Sequence, residues 1–324
     1  MTGVLGGRRR SAWAIIVGGF LLGLSAWPAR ASVEEVLRRE GFASAPIEQL
    51  RGRNADVVRV AINGHEFRLV IDTGTPNTLL FRHAAERAGL AIDRTLGPAY
   101  GVNGMADAAA SLARVASFSI GGLALPPTPI LIAEFHPTVI NGGEDFDGLL
   151  GLRTLQRIGA VFGYDSAVLF FRPSGFPTRQ LHRFFPSVGF AEVSPLLSQG
   201  RYLVSVSVNG VPATMMLDSG ASTTLLDRRY LEKAGLPPAR GVGWGVGLDG
   251  HQILQNGVRT QALAVGGVPL PLAVIGVCDP AVFRPRGGTA AIDGLLGFEP
   301  LRRLRPYVDA GNDRLYLDTM PGRR

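Results

Sequence analysis

The chain has a single cysteine, Cys278, among 324 residues. An intramolecular disulfide, a cysteine-built zinc cage and an iron–sulfur cluster are therefore excluded, and stability has to come from burial. Charge is scarce as well. Only 18% of residues are charged against 46% hydrophobic, which excludes a disordered or fibrous chain and leaves room for two ordinary domains with real cores. Lysine is nearly missing, Lys233 being the only one. No Gly-x-Ser-x-Gly elbow occurs, which disfavours a serine hydrolase. The five histidines (His65, His83, His136, His182, His251) show no ligand spacing, so neither a metal nor a cofactor is expected.

Glycine and proline, by contrast, are abundant, at 43 and 22 residues. Without a Gly-X-Y period, that composition predicts many turns and short strands. The formal net charge is +7, but residues 1–31 hold four arginines and no acid. Without them 29 bases face 26 acids, a net +3, and the remaining arginines form no basic stripe with interleaved aromatics. Nucleic acid is not an expected partner.

The amino terminus reads as an export signal. Arg8–Arg10 form a positive region, and Ala12–Trp27 is an uncharged, largely apolar stretch of 16 residues. Pro28 breaks it, and Ala29-Arg30-Ala31 has the small-x-small pattern of a signal-peptidase site. A membrane span needs about 20 residues. The expected location is therefore periplasmic or secreted. Membrane anchoring follows only if the leader is retained, with an inner-membrane-anchored form as the alternative.

The rest of the chain repeats itself at an offset of 146 residues. Leu69-Val70-Ile71-Asp72-Thr73-Gly74 returns as Met215-Met216-Leu217-Asp218-Ser219-Gly220. Asn63-Gly64 returns as Asn209-Gly210, and Asp147-Gly148-Leu149-Leu150-Gly151 returns unchanged as Asp293-Gly294-Leu295-Leu296-Gly297. Between residues 60 and 90, 13 of 31 positions are identical to their partners. This is a duplication. The expected organisation is a signal peptide (1–31), a leader helix (32–40), a first lobe (41–171), a connector (172–188) and a second lobe (189–324).

Each half reads mostly as strand. Val58–Ile62 and Leu203–Val208 lead into Asn-Gly hairpin turns, and the returning strands Phe67–Ile71 and Ala213–Leu217 deliver an aspartate at their ends. One short helix per half is predicted, over Leu80–Ala88 and Leu226–Ala234, stopped by Gly89 and Gly235. Gly121-Gly122 and Gly266-Gly267 mark a further hairpin in each half.

An isolated Asp-Ser/Thr-Gly triplet is an ordinary turn former. Two copies, each after three apolar residues and each followed 75 residues later by Asp-Gly-Leu-Leu-Gly, are not coincidence. On these motifs the chain resembles the pepsin-type, two-lobed aspartic proteases, with the short lobes of retropepsin-like bacterial members. The resemblance covers roughly residues 41–318 and implies an all-β, bilobal, pseudo-twofold fold of two small barrel-like lobes, each with a short helix. It implies Asp72 and Asp218 as the catalytic pair. Two carboxylates brought together cannot both ionise cheaply and share one proton; pepsin itself is the standard example. Gly74 and Gly220 permit the close approach. Thr73 and Ser219 are implied to hydrogen-bond across to the opposite loop, with Leu149-Leu150 and Leu295-Leu296 beneath. The implied activity is endopeptidase hydrolysis of a peptide or protein substrate by general acid–base catalysis. The rival reading is a catalytically silent periplasmic peptide-binding module of the same fold. A monomer with an internal pseudo-dimer is expected.

Two segments fall where a substrate-covering flap is implied: Tyr100, Gly101, Val102, Asn103 and Gly104, and in the second copy Gly247, Leu248 and Gly250. Tyr100-Gly101 resembles the tyrosine–glycine of the pepsin flap, which favours the first copy; ordinary hairpin tips are the other reading. The triplets also differ in the next residue along, Thr75 after the first and Ala221 after the second. A hydroxyl there favours the charged carboxylate, so Asp72 is expected to be the more acidic member. Asp147 and Asp293 read as turn or capping groups, and Cys278 as a small buried hydrophobe.

Overall fold

The computed structural model describes residues 32–50, 55–101, 104–126, 129–134, 146–164, 166–172, 179–236, 240–246, 252–270, 274–279, 283–284 and 291–320. The export signal expected over 1–31 lies outside the described residues. Chain order runs strand after strand, interrupted by short helices. The first element is the helix Val33–Arg39, closed at its start by a capping box: Ser32 Oγ accepts from the Glu35 amide, and Glu35 accepts from the Ser32 amide.

The hairpins form where the turn chemistry predicts. Asn63 and Gly64 have φ of 51° and 83°, Asn209 and Gly210 of 50° and 84°, the left-handed pair a two-residue hairpin requires. Ile62 then pairs with His65, and Val208 with Val211. Each asparagine side chain also receives two amides from a later loop, Ala116 and Ser117 on Asn63, Gln261 and Ala262 on Asn209.

One sheet of ten strands belongs wholly to the second half. The other has 15 strands and takes three of them, Phe190–Val193, Tyr307–Asp309 and Arg314–Asp318, from the second half. The seam is the antiparallel pairing of Val161–Gly163 with Tyr307–Asp309. The largest cluster of buried apolar side chains accordingly runs from one lobe into the other, from Leu155 and Phe162 to Tyr202 and Val308. The segment expected as connector carries a helix, Arg179–Ser187, whose Leu181 and Phe185 are buried against Phe190 and Tyr316, the latter ring stacked 3.9 Å from that of Phe185.

Two expectations are corrected. The helices predicted from Leu80 and Leu226 begin later, at Arg82–Arg87 and Arg228–Lys233. The triplets before them are strands, Leu79–Phe81 and Leu225–Asp227, whose backbone groups are taken up by neighbours on both sides. In addition, among the described residues each lobe carries a second short helix. Leu152–Arg157 and Phe298–Arg302 follow the two Asp-Gly-Leu-Leu-Gly strands. Neither has a side-chain cap. At Leu152–Arg157 the first amides are satisfied by distant carbonyls, Leu152 N–H donating to Thr75 and Arg153 N–H to Pro76, so no local signal announces the helix.

Candidate active site

The sequence motifs converge at the ends of two strands. His65–Asp72 runs parallel to Gly148–Gly151, with Asp72 opposite Gly151; Val211–Leu217 runs parallel to Gly294–Leu296, and the Asp218 amide donates to Leu296. The duplicated Asp147 and Asp293, read as capping groups, act as struts behind these strands. Their carboxylates accept from the Arg68 and Thr214 amides at 2.7 and 2.8 Å, and their backbones bridge to the helix-leading strands through Phe81 and Asp227.

The two aspartate loops grip each other with four bonds related by the pseudo-twofold. Thr73 Oγ1 donates to the Leu217 carbonyl at 2.8 Å and accepts from the Ser219 amide at 3.0 Å. Ser219 Oγ donates to the Ile71 carbonyl at 2.7 Å and accepts from the Thr73 amide at 3.0 Å. All are buried, where a polar atom stripped of its partner costs about 1–3 kcal/mol. The loops close so tightly that a side chain at either glycine has no room. A Cβ on Gly74 would stand 2.5 Å from the Asp218 carboxyl carbon, and one on Gly220 would stand 2.8 Å from that of Asp72.

Each carboxylate is also held by its own loop. Asp72 Oδ1 accepts from the Gly74 and Thr75 amides at 2.7 and 3.1 Å, and Oδ2 accepts from Thr75 Oγ1 at 2.8 Å. Asp218 Oδ1 accepts from the Gly220 and Ala221 amides at 3.0 and 3.1 Å. Burial pushes both acids above the ordinary carboxylate range. For Asp72 the Thr75 hydroxyl and the two amides counteract it. Asp218 is pushed further, by burial and then by the charge of Asp72.

Of the residues expected at the site, Asp72, Thr73, Gly74, Thr75, Asp218, Ser219 and Gly220 are brought together. Of the expected flap, Tyr100, Gly101 and Gly104 are described, on the hairpin of Ile92–Gly101 with Gly104–Ala113 at one edge of the larger sheet. Tyr100 and Gly101 pair with Met105 and Gly104, while the tip residues Val102 and Asn103 lie outside the described residues. In the second lobe Val246 pairs with Gln252, and Gly247, Leu248 and Gly250 lie outside the described residues. Among the described residues no cluster of three His, Cys, Asp or Glu is placed to hold a metal ion. Cys278 is buried, which lifts its thiol to about 12.

Two neighbours of the dyad escape a motif-based reading. Arg201, from the second lobe, donates from Nε to the Gly74 carbonyl at 3.3 Å. Tyr164 is buried beside the pair, and burial together with the charges of Asp218, Asp56 and Asp72 holds its hydroxyl well above its usual range. The repeat hides both. At the 146-residue offset Arg201 corresponds to Ala55 and Tyr164 to Ala310, so no matching pair draws attention to them.

A family model described as aspartyl protease matches the chain twice, over residues 58–154 and 204–299, together more than half of it. Each match contains one aspartate triplet and one Asp-Gly-Leu-Leu-Gly. No curated protein matches the chain.

Proposed function

Because the chain belongs to the aspartyl protease family, we propose that it is an exported endopeptidase in which Asp72 and Asp218 hydrolyse peptide bonds through one water held between them. The observation that carries this reading is the mutual approach of the loops, each glycine lying against the opposite carboxylate. The ionised member of the pair takes a proton from the water, whose oxygen attacks the scissile carbonyl carbon. The protonated member gives its proton to the carbonyl oxygen, forming a neutral gem-diol. Collapse breaks the C–N bond as the amide nitrogen takes up a proton and the diol returns one to the dyad. No bond to the enzyme forms, and the pair ends with one proton as it began.

The Thr73–Ser219 grip keeps the carboxylates from separating, so the geometry is set before substrate arrives. Since both halves of the site come from one chain, a monomer suffices. Export to the periplasm or medium is proposed on residues 1–31 alone; among the described residues no helix is long and apolar enough to cross a membrane.

The test compares the wild type with Asp72→Asn and Asp218→Asn on a fluorogenic peptide library over roughly pH 3–8, with and without pepstatin. Each variant is expected to lose about 10³-fold or more in kcat/KM while remaining folded. A wild type that binds peptides and cleaves none would replace this reading with the silent binding module.

A further inference from the structure

The segments that lead into the two aspartate loops are not alike. In the second lobe Leu196–Ser198 pairs with the start of Arg201–Val208 across a tight turn at Gln199 and Gly200, whose φ values are 50° and 73°. Leu196 stands opposite Leu203 and Ser198 opposite Arg201. Opposed residues of an antiparallel pair share a face, so these four side chains lie together. Tyr202, between them, points the other way into the large core and donates from its hydroxyl to Asp313 at 2.6 Å. The shared face borders the dyad. Leu203 packs against the same apolar cluster as Ala221, whose amide holds Asp218. Arg201 Nε donates at 3.3 Å to the carbonyl of Gly74, the glycine set against the Asp218 carboxylate.

At the 146-residue offset the first lobe has Leu50, Ala55 and Val57, all buried in one apolar cluster. Leu196, by contrast, is 66% exposed against 3% for Leu50, and Arg201 takes the place of Ala55. A second cation stands at the tip of this hairpin. A Cβ on Gly200 would lie 3.0 Å from Pro76 and 3.4 Å from Arg153 Nε, and Arg153 also donates to Asn77 Oδ1 at 2.7 Å. The counterpart of Arg153 in the second lobe is Glu299. One flank of the dyad thus has two arginines where the pseudo-twofold flank has an alanine and a glutamate.

We propose that this flank selects substrates with an acidic side chain, Arg201 pairing with a carboxylate on the side of the scissile bond that lies over the first lobe's aspartate loop. This rests on the protease reading and names the class of peptide it takes. A guanidinium keeps its charge at any pH at which two carboxylates can work. One already held against a backbone carbonyl has spent part of its rotamer freedom, so less is lost when it pairs. Arg153, more exposed and turned toward Asn77, adds to the same field from the first lobe.

The test is a set of quenched fluorogenic peptides in which Glu and its neutral isostere Gln are exchanged at each position around one scissile bond. The wild type is expected to cleave the Glu peptide with about 10-fold higher kcat/KM at positions on one side only. Raising the salt concentration should shrink that ratio, because charge pairing is screened. Arg201→Gln sets an amide nitrogen as many bonds from the backbone as the arginine Nε, so it can keep the Gly74 contact while the charge is gone. Its Glu-to-Gln ratio should fall to near one, whatever its overall rate. Arg201→Lys keeps the charge without that donor and should retain most of the preference, while Arg153→Gln should lower it by less than Arg201→Gln does. A wild type without preference for Glu overturns the proposal. So does Arg201→Gln with the ratio intact and both rates lowered, which would make Arg201 a brace for the Gly74 loop. Should Arg201→Gln fail to fold, the wild-type salt series decides, and a ratio indifferent to salt counts against the proposal. If no peptide is cleaved, the protease reading falls, and fluorescence anisotropy with the same Glu and Gln peptides still decides the charge preference from the ratio of their Kd values.

Discussion

Phe81 and Asp227 stand 146 residues apart and occupy the same place in the two lobes, immediately before the helices Arg82–Arg87 and Arg228–Lys233. They do it by different physics. Phe81 is fully buried, its ring 5.4 Å from that of Phe146, and it gives the helix no side-chain cap. Asp227 is equally buried, but its carboxylate accepts from the Arg229 amide at 2.8 Å and from that residue's guanidinium, capping the helix and neutralising itself. A few residues upstream, the aspartate loops have kept nearly every atom of their arrangement. The contrast separates two kinds of constraint. Where only volume has to be filled or an amide satisfied, either solution serves and the copies have drifted apart. Where two loops meet at one axis, a change in one must be answered by the other, and the copies have stayed alike.

Substitutions made in pairs break or sharpen that comparison. The largest effect is expected from Gly74→Ala and Gly220→Ala. Each places a methyl group against the opposite carboxylate, at 2.5 and 2.8 Å from its carbon. Either should lower kcat/KM by about 10²-fold or more, since misplacing reacting groups by an ångström costs that much. Purified variants that keep wild-type turnover would show that the close approach is not maintained in solution.

Smaller, and best read as melting temperature, is the grip. Thr73→Val and Ser219→Ala each remove one hydroxyl that bridges an amide and a carbonyl of the opposite loop. Each is expected to cost about 2–4 kcal/mol, two buried backbone groups being left without partners. Near-equal losses support a symmetric grip. A loss confined to one variant would make that loop the dominant support.

The smallest effect concerns Asp309, which stands where the first lobe has Gly163. Burial lifts its carboxyl to about 6, partly offset by the amide and side chain of Asn312. Its folded value lies above the unfolded one, so the folded state binds the extra proton between about pH 4 and 6. Stability from this group is present below that window and is lost as pH rises through it. Asp309→Asn should flatten that part of the stability–pH curve in denaturant titrations. A curve of unchanged slope would assign the pH dependence to other groups.

Much of this was legible from the chain alone. The Asn63-Gly64 and Asn209-Gly210 turns, the strands they join and the aspartates at the strand ends follow from side-chain alternation and from backbone angles that few residues adopt. The helix starts at Arg82 and Arg228 were not, because the leucine pairs Leu79-Leu80 and Leu225-Leu226 suit either state and long-range pairing chose the strand. Nor was the neighbourhood of the dyad beyond its motifs. Arg201 is an ordinary strand-end arginine until the second lobe's turn is set against the first lobe's loop.

By itself, then, the sequence determined the duplication, the two acids and the hydroxyls beside them, since these are facts of residue identity and local periodicity. Tertiary structure alone decided that three strands of the second half complete the first half's sheet, that the uncapped helix Leu152–Arg157 forms on borrowed carbonyls, and that the two acids share one site. Those outcomes depend on contacts between residues far apart in the chain, from Leu152 with Thr75 to Val161 with Asp309. Their energy appears only when both lobes are folded together, and no local pattern carries it.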